Sequence, residues 1–158
     1  MVQKKKTEIK AKVAPVATPT VKRAPKAKKA ATIAHGVGRR KKSVARAWLA
    51  HGSGKISVNG KPHIEYFDTD VARRAAAMPL VVVPAGANYD VHVLVCGGGK
   101  EGQANAVKLG IARAMVELDE TMKPDMRKHG LLTVDSRVKE RKKYGRKAAR
   151  RAFQFVKR

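Results

Sequence analysis

The sequence contains one cysteine, few aromatic residues and no long hydrophobic run, and each scarcity argues against a class of protein. Cys96 alone predicts neither an intramolecular disulfide nor a cysteine-based zinc site, and it is typical of a reducing compartment. Aromatic residues make up 4% of the chain, too few for a protein that binds bases chiefly by stacking. The longest apolar run, Leu80 to Ala87, is interrupted by Pro84 and is much shorter than the roughly 20 residues of a membrane-spanning helix. We therefore expect a cytoplasmic protein without a membrane partner.

Acidic residues are also scarce, and the resulting positive charge is concentrated towards the two ends of the chain. The 158 residues include 36 Lys and Arg against 12 Asp and Glu, which gives a formal net charge of +24. The net charge is +9 over residues 1–34, +4 over residues 35–126 and +11 over residues 127–158. Because such a chain repels itself unless a polyanion neutralises it, the composition predicts nucleic acid as the partner.

This distribution predicts three segments. Residues 1–34 have no aromatic residue and no periodic apolar face, which predicts a disordered basic tail rich in Ala, Pro and Lys. A solvated linker without a specific partner is an equal alternative for this tail, and a mitochondrial transit peptide is less favoured because the tail is rich in Lys and Pro. Residues 35–130 are predicted to form one globular α+β domain, since 96 residues suffice for one small hydrophobic core. Residues 131–158 predict an extended basic arm that orders on a polyanion, with Leu131 and Leu132 docked onto the domain.

Three strands are predicted in the globular segment from its β-branched and alternating apolar residues. Val44–Ala50 and Lys55–Asn59 are predicted as two strands joined by a glycine-rich turn. Asn59-Gly60-Lys61-Pro62 predicts a second turn. Tyr89–Cys96 is apolar at both odd and even positions, which predicts a central strand buried on both faces, with a buried Cys96 at its end.

Two helices are predicted between and after these strands. Val71–Met78 is a short helix that we expect Pro79 to end. A longer helix is predicted over about Gln103–Glu120, where Arg113 and Glu117 are spaced for an ion pair. The residues predicted to form its core face are Val107, Ile111, Ala114 and Leu118.

Four consecutive cations, Arg39-Arg40-Lys41-Lys42, lie directly before the first predicted strand and follow the glycines of Gly36-Val37-Gly38. Flexible glycines allow close approach to a backbone, and arginine guanidinium groups bind phosphate in a bidentate manner. The motif therefore favours contact with a nucleic-acid backbone, and the alternative is a solvated run of charge at a domain edge.

The segment Gly97-Gly98-Gly99-Lys100-Glu101-Gly102-Gln103 connects a predicted strand to a predicted helix. It lacks the Gly-Lys-Ser/Thr of a nucleotide-binding loop, so contact with an RNA phosphate and a purely structural tight turn are the two interpretations that remain. The five histidines have no metal-ligand spacing, and no nucleophile, base and orienting residue are combined. We therefore expect no enzyme activity, no metal, no cofactor and no small-molecule substrate.

Three motifs in the chain resemble one family when they are taken together. The first is Gly38-Arg39-Arg40-Lys41-x-Ser43-Val44-Ala45-Arg46, the second spans Gly97 to Ala114, and the third spans Gly130 to Arg158. They resemble the opening, the internal signature and the ending of ribosomal protein S9 from the small ribosomal subunit. The resemblance covers about residues 35–158, with the motifs in the family's order.

The resemblance implies a two-layer α/β sandwich like the second domain of ribosomal protein S5, with long basic N- and C-terminal extensions. It implies binding to the small-subunit rRNA in the head, next to neighbouring head proteins. It also implies that the C-terminal arm reaches the anticodon loop of the peptidyl-site tRNA through Arg158 and Lys157. The candidate rRNA-binding residues are Arg39, Arg40, Lys41, Lys42, Arg46, Lys100, Arg137, Lys139, Arg141, Lys142, Lys143, Tyr144, Arg146, Lys147, Arg150 and Arg151.

The charge pattern and the resemblance predict the same mechanism, in which cations neutralise phosphates and release counterions, so that binding weakens steeply with salt. Two other functions remain as alternatives. A histone-like protein would bind duplex DNA and RNA with similar affinity. The protein subunit of an RNA-processing ribozyme would stimulate RNA cleavage, but it would leave the basic arm without a purpose.

Overall fold

The computed structural model describes residues 32–155, and of Ala85 only the backbone. Most of the predicted N-terminal tail therefore lies outside the described residues, as do Lys157 and Arg158 at the end of the predicted arm. The strands are β1 (Ala34–Arg40), β2 (Ser43–His51), β3 (Ile56–Val58), β4 (Lys61–Pro62) and β5 (Tyr89–Cys96). The helices are α1 (His63–Tyr66), α2 (Asp70–Val82), α3 (Lys100–Leu118) and α4 (Lys123–Lys128), with short 3-10 turns at Pro84–Asn88 and Glu120–Met122.

The strands form one sheet in the order β1-β2-β5-β3-β4. The two predicted early strands are confirmed, but they do not pair with each other, because β5 lies between them. It pairs antiparallel with β2 along its whole length and parallel with β3. The turn at Asn59 and Gly60 is also confirmed. Both residues have positive φ angles, 50° and 84°, as in the tight two-residue turns that join antiparallel strands such as β3 and β4.

α3 packs against β1, β2 and β5 on one face of this sheet, and α2 packs against α3, which gives the expected two-layer α/β sandwich. The covered face of β2 and β5 is fully buried at residues such as Ala47, Leu49 and Val93. The other face is open. Leu94 is 47% exposed and Cys96 is exposed, so the predictions of a strand buried on both faces and of a buried Cys96 were wrong. β5 is central in the sheet, but within residues 32–155 no second layer of helices covers its far side.

The predicted helices are confirmed with different ends. Pro79 does not end α2 but lies buried inside it, and the helix continues to Val82. Proline removes one backbone hydrogen bond from the helix interior, and the burial of Pro79 next to the core residues Ala72 and Ala76 compensates for that loss. The longer helix, α3, begins at Lys100, and its core face is confirmed but wider than predicted, because Ala104, Ala106 and Met115 are also fully buried.

α3 packs unusually close to β1 because both elements have small residues at their contact. A Cβ atom added to Gly36 would clash with the backbone of Gly110, and one added to Gly38 would clash with the backbone of Ala106. Glycine is thus required in this strand by the approach of a helix. The motif's glycines face the protein core, which differs from the flexible role expected beside a phosphate backbone.

The outer edge of β1 is bonded to side chains of α3. Arg113 Nη1 donates to the carbonyl oxygen of Val37 at 2.7 Å, and the backbone N–H of His35 donates to Glu117 Oε2 at 3.2 Å. Within the described residues Arg113 and Glu117 therefore bond to the strand and not to each other, contrary to the predicted ion pair. These bonds satisfy backbone groups that an edge strand would otherwise expose.

The docking of Leu131 and Leu132 onto the domain is confirmed, since Leu131 is fully buried in the core and Leu132 packs against it. Beyond these residues the chain has no helix or strand up to residue 155. Among the helices of residues 32–155, none combines the length and the apolar character needed to cross a bilayer.

Candidate nucleic-acid interface

The basic motif at the end of β1 forms a tight hairpin. Arg40 pairs with Ser43 in the antiparallel register, so Lys41 and Lys42 alone make the two-residue turn. Lys41 has a φ of 54°, in the left-handed region, and both lysines are exposed. The hairpin therefore presents two ammonium groups at one end of the sheet, and neither forms an ion pair within residues 32–155.

The glycine-rich segment before α3 packs directly against this hairpin. Gly97 and Gly98 have φ angles of 73° and 63°, and a Cβ atom on either would clash with Lys42 or Ser43. The hydroxyl of Ser43 donates to the carbonyl oxygen of Gly97 at 3.1 Å. The sequence left two interpretations of this glycine-rich segment, a contact with an RNA phosphate and a tight structural turn. The structure shows the tight turn. It brings two separately recognised motifs together.

Lys100 is occupied by contacts within the protein. Its Nζ atom donates to the carbonyl oxygen of Tyr66 at 2.8 Å and lies 3.7 Å from the centre of the Tyr66 ring. The Tyr66 hydroxyl in turn donates to Gln103 Oε1 at 2.9 Å. Lys100 therefore joins the start of α3 to α1, and its ammonium is only partly available to a phosphate.

Arg40 fastens the root of the C-terminal arm to the sheet. Its guanidinium pairs with the carboxylate of Asp135 at 2.9 Å and donates to the carbonyl oxygens of Asp135 and Arg137. Its side chain is only 15% exposed. Arg40, Asp135 and Arg137 together are called the arm clasp below.

Asp135 is the common partner in the arm clasp. Arg137 donates to its carboxylate from the guanidinium at 2.8 Å and from the backbone N–H at 3.0 Å. These bonds from Arg137, together with the charges of Arg137 and Arg40, hold the pKa of Asp135 well below its usual range. The carboxylate therefore stays ionised at any pH near neutrality.

A groove of about 650 Å³ lies between the arm root, the end of β1 and the first half of α3. Lys108 lies on its helical side, and Arg39 and Arg137 lie at its other walls. Glu101 and Asp135 also line it, and Asp135 is neutralised by the arm clasp. The groove is open and polar, which suits the backbone of a nucleic acid better than a small apolar ligand.

The arm itself lies outside the globular domain. Every residue from Ser136 to Phe155 is exposed except Ala149, which is half-buried. Tyr144 is 98% exposed. One internal ion pair, between Arg150 and Glu140 at 2.6 Å, bends the arm back on itself but does not join it to the domain. The exposed candidate residues on the arm are Arg137, Lys139, Arg141, Lys142, Lys143, Tyr144, Arg146, Lys147, Arg150 and Arg151.

Arg46 lies on the open face of the sheet, and Arg39 lies on the edge strand of that face, where it also lines the groove. Both are exposed, and neither forms an ion pair with any of residues 32–155. Together with the hairpin lysines and the arm, they give three groups of available cations. The structure thus distributes the candidate residues over three surfaces: the hairpin with its groove, the open sheet face and the arm.

Comparison with known proteins gives one consistent result. The sequence pattern of the family described as Ribosomal protein S9/S16 matches residues 38–158, which is more than half of the chain. The chain belongs to this ribosomal protein family. It is also 51% identical over 105 residues to the small ribosomal subunit protein uS9 of Ureaplasma parvum serovar 3 (strain ATCC 700970). That match covers 66% of this chain and 79% of the relative.

As a member of the S9 family, the chain is a structural protein of the small ribosomal subunit, and the resemblance found in its three motifs is confirmed. The matched range includes the hairpin, the groove and the arm. The matched range begins at residue 38. His35, which lies on the open face of the sheet, is therefore outside it.

Sequence reasoning missed several residues that shape this S9-family surface. Asp135 was not singled out, because a carboxylate in a basic arm gave no signal of a partner 95 residues earlier. Lys108 is not among the candidate residues, because a single lysine on the polar side of a helix does not indicate a groove beside it. Trp48, by contrast, had a usable signal. It alternates with the buried residues Ala47 and Leu49 in β2, which places its ring on the open face.

Proposed function

We propose that this chain binds the rRNA in the head of the small subunit through its hairpin, groove and arm. The observation that carries the proposal is the arm of residues 136–155, whose cations are all exposed to solvent although its root is anchored to the domain. A globular protein gains nothing from such a segment on its own, because the ordering of an exposed polar chain costs conformational entropy. A surrounding polyanion supplies the missing favourable term.

The arm clasp gives this binding a fixed starting point. Leu131 is buried in the core, and Arg40 bonds to the backbone of Asp135 and Arg137, so the arm leaves the domain at a defined place. From residue 138 to residue 155 an extended chain spans at most about 60 Å. The arm therefore has the length to thread between RNA helices while the domain stays outside them.

Recognition through these surfaces depends on the shape and charge of RNA more than on its sequence. Lysine and arginine contacts to phosphate fix position and orientation but do not distinguish bases. The hairpin lysines and the arm cations are all of this kind. We expect binding to fall steeply as salt rises, and we expect folded rRNA to be preferred to duplex DNA at equal salt.

A direct test of the rRNA proposal is sedimentation of the tagged protein with the small subunit in moderately high salt. The proposal requires that the protein move with the subunit and that duplex DNA fail to displace it. A histone-like protein would instead exchange onto duplex DNA, which would contradict the proposal.

We further propose that Arg158, with Lys157 beside it, contacts the anticodon loop of the peptidyl-site tRNA. The support is the S9-family match, which continues to residue 158, and the exit of the arm from the domain. Arginine can donate two parallel hydrogen bonds to a phosphate, while the chain-end carboxylate of the same residue has to face away or meet a donor.

Deletion of Arg158 tests the role of the tip. Subunits assembled with the truncated protein should form normally but bind peptidyl-site tRNA more weakly or lose reading-frame maintenance. The matched control is Lys128→Gln, which removes one charge from an exposed residue of α4 on the domain. If the truncated protein assembles and holds tRNA as well as the full-length chain does, the proposed role of the tip is wrong.

A further inference from the structure

A row of aromatic and imidazole rings crosses the open face of the sheet. His35 on β1, Trp48 on β2 and His92 on β5 occupy directly paired positions. The ring centres of His35 and Trp48 are 5.5 Å apart, and those of Trp48 and His92 are 5.9 Å apart with the planes inclined at only 27°. Ser57 on the next strand lies within hydrogen-bond distance of His92 Nδ1, at 3.1 Å, and orients that ring. The three residues are called the ring row below.

The charged side chains on the strands around the ring row are mainly cationic, and one carboxylate from outside the sheet, Glu117 of α3, is bonded to the backbone N–H of His35 at 3.2 Å. Arg46 lies two residues before Trp48 on the same strand and the same face, and Arg39 lies on the neighbouring edge strand. The only acidic residue in the five strands is Asp90. Its Oδ1 atom accepts hydrogen bonds from the backbone N–H groups of Lys55 and Ser53 at 2.9 and 2.8 Å. The bonds from Lys55 and Ser53 hold the pKa of Asp90 below its usual value, so this carboxylate is engaged by the chain itself.

The apolar residues of this face do not form a patch that would suit a protein partner. Its exposed large apolar side chains are Ile33, at 37% exposure, and Leu94. They lie on opposite sides of the ring row. Ile33 lies on the side of Ala50, and Leu94 lies beside Arg46. A protein interface usually has a contiguous apolar centre, whereas flat rings flanked by arginines are suited to nucleic-acid bases and phosphates.

We propose that the ring row is a stacking platform for an unpaired base of the rRNA, with Arg46 placed to bind an adjacent phosphate. This proposal rests on the rRNA-binding function proposed above and names a site that the hairpin and the arm do not include. Sheet faces with rings on central strands bind single-stranded RNA in this way, because every base has a face that can stack. β2 and β5 are the second and third strands of the five, so Trp48 and His92 hold such positions.

The low aromatic content of the chain agrees with a single platform. Binding through many stacked bases is excluded by seven aromatic residues in 158, but one base requires only one well-placed ring. The two histidines flank Trp48 on both sides, with ring planes inclined to the indole at 44° and 27°. The arm and the hairpin would supply most of the affinity, and the ring row would fix one unpaired nucleotide.

Fluorescence provides a direct test because Trp48 is the only tryptophan in the chain. The full-length protein is titrated with a single-stranded oligoadenylate and with an RNA duplex of the same length, at a salt concentration where labelled-RNA anisotropy shows that both bind. We expect the single strand to quench Trp48 emission and the duplex to leave it nearly unchanged, since only an unpaired base can stack on the ring.

Substitution separates stacking from electrostatic attraction. Trp48→Leu should weaken binding of the single strand by roughly fivefold or more and leave duplex binding unchanged. Trp48→Phe, which keeps a ring, should restore most of the loss. The matched control is Phe155→Leu, which removes an exposed ring that is not among the candidate RNA-binding residues and should leave the quenching of Trp48 intact. If Trp48→Leu fails to fold, the quenching of the natural chain decides the question.

The outcomes distinguish this proposal from the one on which it rests. RNA binding without quenching, or equal quenching by the duplex, overturns the platform and leaves the rRNA-binding function standing. Failure of the protein to sediment with the small subunit, in the test given under Proposed function, overturns both. In assembled small subunits, photo-crosslinking from Trp48→azidophenylalanine should yield an RNA adduct. An adduct with a neighbouring protein would show that a protein covers this face and would overturn the platform.

Discussion

At the scale of single residues, partners decide what each cation of the basic motif can do. Arg39 and Arg40 are adjacent in sequence, but their side chains point to opposite sides of β1. Arg39 is exposed on the open face, whereas Arg40 is bonded to the arm root. The sequence presents both as equivalent phosphate ligands. The structure assigns Arg40 mainly to the protein's own fold and leaves Arg39 available to RNA.

Replacement of Arg40 tests this difference. Arg40→Gln should loosen the arm root, because it leaves the Asp135 carboxylate without its partner on the sheet and removes the bonds to two carbonyl oxygens. Limited trypsin digestion followed by mass spectrometry should show faster cleavage after Arg137. The matched control, Arg39→Gln, removes the same charge without touching the arm clasp. Equal cleavage of the two variants would show that the clasp does not hold the arm.

The same digestion has a defined pH dependence. Because the pKa of Asp135 is lowered in the folded protein, its contribution is fully present above the ordinary carboxyl pKa of about 4 and is lost as the pH falls through the lower folded value. We therefore expect the protection of the arm root to be the same at about pH 6 and about pH 8. A loss of protection within that window would mean that another group controls the clasp.

At the scale of secondary-structure elements, the contact between α3 and β1 is what positions the basic hairpin. The helix approaches the strand at Gly36 and Gly38 so closely that no larger residue fits. Edge bonds from Arg113 and Glu117 add to this contact. The hairpin that follows β1 therefore projects from a rigidly packed strand, and its two lysines gain a fixed position at little cost in conformational entropy.

Gly38→Ala should destabilise the fold, because its new methyl group would clash with the carbonyl oxygen of Ala106 in the α3 backbone. We expect a loss of about 1–3 kcal/mol in the free energy of unfolding, as for other overpacked cores. The control is Gly99→Ala, at a position with no atom within 4 Å of the added Cβ and with a φ of −106°, which should change stability by less than about 0.5 kcal/mol. Urea unfolding followed by circular dichroism measures both. Equal stability of the two variants would contradict the close-packing argument.

The elements that local pattern determines were predictable from the sequence, and those set by distant partners were not. The strand Tyr89–Cys96 and most of α3 followed from their apolar residues. Alternation could not reveal that no layer formed by residues 32–155 covers the far side of β5, which is why the burial of Cys96 was predicted wrongly. Similarly, Pro79 stops a helix by local rules, and only its buried position in the core explains why α2 continues past it.

At the scale of the whole molecule, the residues that form the hydrophobic core and most of the cations proposed to bind RNA lie in different parts of the chain. The domain buries its core with a nearly balanced charge, and the excess of cations lies towards the ends of the chain. The presence of this basic surface was predictable from charge counting alone. Its arrangement was not, because the clasp joins Arg40 to residues almost a hundred positions later. The partners of Lys100 likewise come from α1, which no sequence pattern connects to it.

Removal of residues 138–158 should leave the domain folded and strongly reduce RNA binding. Leu131 and the arm clasp are retained in this truncation, so the melting temperature should change little. Ten Lys and Arg residues are lost, and each phosphate contact that disappears lowers the salt slope of binding by about 0.7–0.9. The readout is the affinity for small-subunit rRNA at several salt concentrations.

Removal of residues 1–31 provides a charge-matched control, because this segment also contains ten Lys and Arg residues and one acid. It lies outside the S9-family match, so we expect a smaller loss of affinity than for the arm. Equal losses would show that the number of cations matters and that the anchoring of the arm does not.

The strand order has a consequence for how the chain matures while it is being synthesised. β5 pairs with both β2 and β3, so these two earlier strands keep unpaired edges until residues 89–96 have left the exit tunnel. The hairpin of β1 and β2 can form early, but its covering helix emerges later still. During that interval the nascent chain exposes unpaired strand edges, which can pair with other chains, close to a high density of positive charge. Folding of the domain therefore depends on a late step in which β5 inserts between β2 and β3 and completes the sheet.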